Sequence, residues 1–250
     1  MTEISRPLTK NDFLDPLKEY YHDNVADDFE ERKINFKRKG IALLVIDVQY
    51  LDAAKGYGVF KDITASGIPV EQQKYYFDTL EEYVLPNIKR LLKTFRDNKM
   101  EIIHTRIQSL THDGRDRSTG HKRLGLLAPP GSKEAEFLPE VAPQGDEIVL
   151  NKTASGVFSS TNLNYVLQNL NIHELVVAGV YSNECVETTI RDACDIGYLV
   201  SMIEDACTTV TPELHKATVM TLRDRYAEIV TTDQIVERFQ ENLIKTKIVG

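Results

Sequence analysis

The sequence predicts an α/β fold, a three-layer αβα sandwich around a doubly wound, six-stranded parallel sheet. Two observations carry this prediction. Short apolar runs alternate with segments whose apolar residues recur at helical spacing. The apolar runs are continuous rather than alternating with polar residues, which is typical of parallel strands covered by helices on both faces. This alternation is the pattern of Rossmann-like sheets, which bind ligands outside the carboxyl ends of their strands.

The individual elements are predicted in chain order from apolar runs and helix-end residues. Residues 41–46 ("IALLVI") form the first strand, and a long helix follows over 71–98, in which Pro86 marks a kink or a second helix start. Gly197 ends a helix over 185–196. Thr211 and Pro212 are the cap and first residue of the helix after the fifth strand. The other strands are 101–106, 147–150, 174–180, 198–203 and 228–230, and the other helices are 161–170 and 232–243.

Composition narrows the function classes. The net charge of −8 argues against a nucleic-acid partner, because proteins that bind nucleic acid usually carry a basic face. Three cysteines are too few for a disulfide framework and indicate a reducing compartment. No apolar stretch resembles a signal peptide or approaches membrane-spanning length. We therefore expect a cytoplasmic protein with no membrane partner.

The chain divides into a short arm and a body. Residues 1–39 are dense in charges of both signs, and we expect an arm with some helix that packs on the body or on a neighbouring subunit. A solvated tail is the alternative. Residues 40–250 form the body.

Three reactive side chains follow strands of the predicted sheet. Asp47 follows the first strand, Lys152 the third and Cys185 the fourth. The polar residue Gln49 lies two positions after Asp47. Each residue has an ordinary alternative role: a turn or cap for the acid, a solvated position for the amine, an inert small hydrophobe for the thiol. Their coincidence at the ligand-binding edge of the sheet indicates a catalytic site.

An acid, an amine and a thiol together can perform nucleophilic catalysis. The pKa of a thiol, about 8.5, is lowered by a helix N-terminus or a nearby cation, and we expect Cys185 to lie in the first turn of its helix with Lys152 beside it. Asp47 can accept the thiol proton and return it to a leaving nitrogen. Such a set needs no histidine.

Over residues 40–235, the sequence resembles the isochorismatase-like cysteine hydrolase family. The resemblance rests on Asp47-x-Gln49, on "NKTASGVFSSTNL" with Lys152, and on "AGVYSNECVETTIRDACDIGY" with Cys185. It implies a catalytic triad of Asp47, Lys152 and Cys185, a cis peptide between Val180 and Tyr181, and an oxyanion hole formed by the backbone N–H groups of Tyr181 and Cys185. It also implies a homodimer or homotetramer.

Departures from family patterns narrow the reaction. Members that cleave isochorismate generally lack the cysteine, so Cys185 favours amide hydrolysis. Nicotinamidases have an Asp and two His as a metal site soon after the first Asp, whereas "YLDAAKGYGVF" has no histidine, so we expect no metal and no other cofactor. Asp52 stands where the family often has Phe, and Asn183 and Glu184 stand where it often has Thr and Asp. These changes favour a polar pocket.

The resemblance also suggests a substrate. The loop over 104–123 looks most like the triuret and biuret hydrolases, with the ureidoacrylate amidohydrolases next. Gln49, Arg106 and Asn183 are the expected substrate-binding residues, because amides and a guanidinium can pair with a small-molecule ureide. Alternatively, Arg106 pairs with a structural carboxylate such as Asp113. An N-carbamoyl amino acid amidohydrolase and a catalytically silent binding relative remain alternatives.

Overall fold

The computed structural model describes residues 16–249 except residues 63 and 65, and it contains the predicted sheet. All neighbouring strands are parallel, in the order β3-β2-β1-β4-β5-β6. The three-layer α/β prediction is therefore confirmed. The strands are β1 (Ile41–Ile46), β2 (Glu101–Ile107), β3 (Ile148–Lys152), β4 (Glu174–Val180), β5 (Leu199–Thr208) and β6 (Glu228–Val230).

Helices cover both faces of the sheet. Side chains of β1 alternate between two buried clusters, with Leu43 and Val45 in one and Leu44 and Ile46 in the other. Helices α5 and α11 cover the first face, and α8, α9 and α10 cover the second. The helices are α1 (Pro16–Asn24), α2 (Phe29–Lys37), α3 (Tyr50–Ala53), α4 (Val70–Thr79), α5 (Leu85–Asp97), α6 (Thr119–Arg123), α7 (Val157–Ser160), α8 (Leu163–Asn169), α9 (Glu187–Asp195), α10 (Pro212–Leu222) and α11 (Thr232–Val249).

The predicted long helix is interrupted before its proline. Leu80–Val84 forms a π-helical turn between α4 and α5, and Pro86 lies in the first turn of α5. Proline has no N–H and its ring collides with the carbonyl four residues earlier, so the helix adjusts on its N-terminal side. Pro86 therefore follows a change from π- to α-helical geometry inside one continuous helical run, since the backbone stays helical through Leu80 and Leu85.

Part of the N-terminal arm packs on the body of the same chain. Arg32 of α2 donates to Glu174 at the start of β4 over 2.6 Å, and Phe36 meets Phe239 of α11 edge to face with ring centroids 5.0 Å apart. The first 15 residues of the predicted arm lie outside the described residues. Within the described part of the chain, no helix combines the length and apolar character needed to cross a membrane.

Candidate active site

The three predicted catalytic residues meet at the carboxyl edge of the sheet. Asp47 follows β1, Lys152 ends β3, and Cys185 follows β4. The chain builds β1, β2 and β3 in one direction and then places β4 on the other side of β1. This reversal is a topological switch point, where open α/β sheets form their ligand sites.

All three side chains are buried from solvent. Asp47 is 1% exposed, Lys152 0% and Cys185 3%. The Lys152 ammonium lies 2.7 Å from Asp47 Oδ2 and 3.2 Å from Cys185 Sγ, and it donates to the Ala154 carbonyl over 3.0 Å. An ammonium has three N–H donors, and each of them has a partner here. The cluster is therefore a fixed carboxylate–ammonium–thiol unit.

Opposing electrostatic effects act on the cluster. Burial alone would lower the pKa of Lys152, but the charges of Asp47 and Cys185 outweigh it and raise that pKa, so the lysine carries its proton. Burial raises the pKa of Asp47, and Lys152 opposes the rise. The carboxyl thus keeps a cation next to it and is a stronger base than a solvated aspartate.

The expected low pKa of Cys185 is not found. Burial raises the pKa of the thiol well above its usual range, Lys152 acts against this rise, and Asp47 adds to it. Cys185 also lies outside the first turn of α9, in a π-helical turn over Ser182–Val186, which we call the cysteine turn. This environment favours the thiol form of Cys185, and a thiol needs a base to become the nucleophilic thiolate.

Two backbone conformations aim Asp47 and shape the end of β4. Asp47 has φ 55°, the left-handed region that costs a non-glycine residue about 1–2 kcal/mol and that Asp tolerates better than most residues. Gly179 has φ 128°, and a Cβ there would lie 2.1 Å from the Ile46 carbonyl oxygen. Only glycine allows this close approach of β4 to β1. The expected cis peptide joins Val180 to Tyr181 directly afterwards.

Hydrogen bonds fix the cysteine turn. The N–H groups of Glu184 and Val186 donate to the Tyr181 carbonyl over 3.1 and 3.3 Å, so both are committed to the turn itself. Ser182 Oγ lies 2.8 Å from His215 Nδ1 of α10. Burial lowers the pKa of His215, while its bond to the Glu204 carbonyl opposes this. A neutral imidazole that donates to Glu204 leaves Nδ1 free to accept from Ser182.

The structure gives Gln49 a scaffolding role. Its Nε2 group donates to the carbonyls of Ile107 and Glu134 over 3.0 and 2.8 Å, and its Oε1 accepts from the Ile107 N–H. Both amide hydrogens of Gln49 are therefore used, so its side chain has no N–H left to donate in the expected contact with a substrate. Gln49 instead ties the segment after β1 to the end of β2.

The other two expected substrate-binding residues, Arg106 and Asn183, differ in their hydrogen-bond partners. Arg106 donates to Asn151 Oδ1 over 2.7 Å and to the Ala135 carbonyl over 3.0 Å, and neither partner belongs to the cluster. Asp113, the carboxylate named as an alternative partner of Arg106, pairs with Arg115 at 3.1 Å. Asn183, on the cysteine turn, has a buried Oδ1 without a partner among the described residues.

Sequence reasoning missed several residues around the cluster. Thr105 donates to Asp47 Oδ1 over 3.2 Å from the neighbouring strand. His121 of α6 is buried, its Nδ1 has no partner among the described residues, and burial, with Lys152 and Arg117 nearby, lowers its pKa to about 4. A loop of mixed charge shows no periodicity that could place His121. Strand pairing between β1 and β2 could have indicated Thr105, since Ile46 lies opposite it.

A metal site is not apparent in the described part of the chain. No group of three or more His, Cys, Asp or Glu side chains there stands in an arrangement that could hold a metal ion. Independence from metal remains a prediction.

Comparison with known proteins assigns the family. Nicotinamidase 3 of Arabidopsis thaliana is 27% identical over 83% of this chain and 92% of its own length, and ureidoacrylate amidohydrolase RutB of Pantoea ananatis is 28% identical over 72% and 74%. The crystal structure of a cysteine hydrolase from Pseudomonas syringae pv. phaseolicola shares the fold, with TM-score 0.66, 22% identity and coverage of 82% and 94%. Residues 42–234, more than half of the chain, match the family model described as "Isochorismatase domain". The chain therefore belongs to the isochorismatase family.

Proposed function

We propose that this protein is a cysteine-dependent amidohydrolase that cleaves a C–N bond of a small linear ureide of the triuret or biuret type. The observation that carries the proposal is the buried Lys152 ammonium, held between the Asp47 carboxylate at 2.7 Å and the Cys185 sulfur at 3.2 Å. A thiol with a base and a cation fixed beside it is an arrangement for nucleophilic catalysis. Relatives with amidohydrolase names support the same reaction class.

The first half-reaction forms a covalent intermediate. Asp47 takes the proton of Cys185 as the sulfur attacks a carbonyl carbon of the substrate, and the C–S bond forms. Lys152 keeps its proton and stabilises the negative charge that moves between Asp47 and the sulfur. The tetrahedral intermediate collapses, the C–N bond breaks, and the leaving nitrogen takes the proton from Asp47.

The second half-reaction restores the thiol. Asp47 takes a proton from water, which attacks the thioester-type carbonyl. The C–S bond breaks, the acid product leaves, and the sulfur recovers its proton from Asp47. The net reaction consumes one water and releases an amine or ammonia and an acid.

The oxyanion of both steps is assigned to the backbone N–H groups of Tyr181 and Cys185. The turn commits the neighbouring N–H groups of Glu184 and Val186 to the Tyr181 carbonyl, which supports this choice of the other two. In other enzymes, the loss of one such donor lowers kcat by roughly 10²–10³. We infer that the contact between Ser182 and His215 positions the turn that carries these donors.

The substrate assignment rests on polar groups near the cluster. Asp52 is a buried side chain and Asn183 a partly buried one, and each has a buried oxygen without a partner in the described part of the chain. A ureide presents several N–H groups that can satisfy such oxygens, whereas an aromatic ring has far fewer. Relatives named ureidoacrylate amidohydrolase and N-carbamoylsarcosine amidase favour a second candidate, a ureidoacrylate or N-carbamoyl amino acid amidohydrolase. We also propose that the protein works without a metal and as a homodimer or homotetramer in the cytoplasm.

Ammonia release across a substrate panel tests the proposal. The panel contains triuret, biuret, ureidoacrylate, N-carbamoylsarcosine and nicotinamide, and kcat/KM is compared across it. We expect triuret or biuret to have the highest value. A higher value for nicotinamide or a carbamoyl amino acid would contradict the substrate, and no turnover of any compound would favour a catalytically silent binding relative. Light scattering after size exclusion measures the oligomeric state.

A further inference from the structure

Asp52 is a buried acid at the candidate site with no cation of its own. It lies on α3, five residues after Asp47, and is 4% exposed. Its Oδ2 has no partner among the described residues. A buried polar atom without a hydrogen bond costs about 1–3 kcal/mol, so a group of this kind requires an explanation.

The main chain of Asp52 is held in place. The hydroxyl groups of Tyr76 and Tyr181 both donate to its carbonyl oxygen, over 2.8 and 2.9 Å. Tyr76 comes from α4, and Tyr181 directly precedes the cysteine turn. Two other elements therefore hold the main chain of Asp52 in place at the site.

The charges around Asp52 favour its uncharged form. Burial raises the pKa of Asp52 well above its usual value, Asp47 and Glu184 add to the rise, and Lys152 opposes it. The ammonium cannot serve as a direct partner, since its three donors go to Asp47, Cys185 and the Ala154 carbonyl. A protonated carboxyl is the state that such an environment stabilises.

An uncharged carboxyl matches one end of a ureide. Its O–H donates and its carbonyl accepts, side by side, and a terminal carbamoyl group presents the complementary C=O and N–H. Asn183 Oδ1 on the cysteine turn, buried and without a partner in the part of the chain that the structure describes, can accept a second N–H. Both orphaned oxygens would then be satisfied by one small molecule.

We propose that Asp52 is a specificity residue that binds the terminal carbamoyl group of the substrate as an uncharged carboxylic acid, with Asn183 accepting a further N–H. This inference rests on the proposed function and narrows its substrate class to uncharged ureides. An anionic carbamoyl compound would bring its carboxylate towards Asp47 and Glu184, which disfavours it.

Two variants of Asp52 separate hydrogen bonding from charge. Asp52→Asn keeps a donor and an acceptor of the same shape and is always neutral, whereas Asp52→Leu keeps the approximate volume and removes both. We expect kcat/KM for biuret to fall about tenfold or more further in Asp52→Leu than in Asp52→Asn, mainly through KM. Equal activity of Asp52→Leu and wild type would overturn the proposal. Equal losses in both variants would overturn it too, because they would mean that the ionised carboxylate is needed.

A binding measurement distinguishes a failure of this inference from a failure of the proposed chemistry. Biuret is titrated by calorimetry into Cys185→Ser and into Cys185→Ser/Asp52→Leu, neither of which depends on turnover. We expect at least tenfold weaker binding to the double variant. If this loss is seen but the wild type turns over no ureide, the recognition by Asp52 stands and the proposed reaction fails. If biuret binds both variants equally or neither, the inference is overturned.

Infrared difference spectroscopy tests the protonation state without any substrate. The spectrum of the wild type minus that of Asp52→Asn at neutral pH should show the carbonyl band of a protonated carboxyl. A carboxylate band in its place would overturn the proposal.

Discussion

Removal of the Lys152 ammonium should destabilise the protein as well as inactivate it. In Lys152→Met the side-chain volume stays similar, but the Asp47 carboxylate, 1% exposed, loses the cation 2.7 Å away. Breaking a buried ion pair from one side typically costs about 3–5 kcal/mol, because the remaining charge is left uncompensated. At about 2–4 °C per kcal/mol for a chain of this size, the melting temperature should fall by about 6–20 °C.

The pH dependence of this loss has a defined sign. Lys152 lowers the pKa of Asp47 in the wild type, so its removal lets burial raise that pKa further above the ordinary 3.8. A carboxyl with a raised folded pKa favours the folded state at pH values below its unfolded pKa, and this contribution is lost as the pH rises through the folded pKa. The deficit of Lys152→Met relative to wild type should therefore be small near pH 4 and grow towards neutral pH.

A matched double variant checks the reasoning. In Asp47→Asn/Lys152→Met both partners are neutral, and neutral replacement of a buried pair is often tolerated. Urea unfolding followed by circular dichroism should show that this variant recovers most of the lost free energy of unfolding while it stays inactive. A loss below about 1 kcal/mol in Lys152→Met, or no recovery in the double variant, would refute the assignment of a buried ion pair.

Three further perturbations test other parts of the site. Gly179→Ala should prevent folding or lower the melting temperature by more than about 10 °C, because its Cβ would overlap a β1 carbonyl. The control Gly197→Ala, also at positive φ but in open space, should cost only about 1 kcal/mol, and equal effects of the two substitutions would contradict the proposed contact. His215→Phe should lower kcat about tenfold or more with little change in KM. An unchanged kcat, or an equal loss of kcat in the exposed control Lys216→Ala, would argue against a positioning role for His215. Asp52→Asn should be more stable than wild type, and its advantage should grow as the pH rises through the raised pKa of this carboxyl. If the melting temperatures of the two proteins differed by the same amount at every pH from 4 to 9, the burial of Asp52 as an uncharged acid would be contradicted.

Strands with continuous apolar runs were predicted closely. The bounds of β1, β4 and β6 agree with the runs that define them, and β1 and β4 are buried along their whole length. The last part of β5 was missed, and Cys207, expected after the strand, lies within it. Glu204 and Asp205 lie beyond the predicted end of this strand, but Asp205 accepts hydrogen bonds from the backbone and hydroxyl of Thr232, both over 2.8 Å. A tertiary contact with the start of α11 thus allows an acid inside the strand.

In the candidate site, too, some features could be predicted from the sequence and others could not. The positions of Asp47, Lys152 and Cys185 at one edge could be predicted, because the carboxyl ends of parallel strands converge there. The protonation of the thiol could not, since burial outweighs the effect of Lys152 and no sequence pattern gives that balance. The role of Gln49 depends on Ile107 and Glu134, which are distant in sequence, so only the structure could show that its amide is already used.

The most direct test of the central claim is the activity of Cys185→Ser towards the best ureide of the panel. We expect kcat/KM to fall by at least about 10³-fold with an unchanged melting temperature, while Cys194→Ser, a control in α9, keeps most of its activity. The two variants exchange the same atom, so their difference isolates the cysteine turn. If Cys185→Ser retained activity within tenfold of wild type, Cys185 would not be the nucleophile.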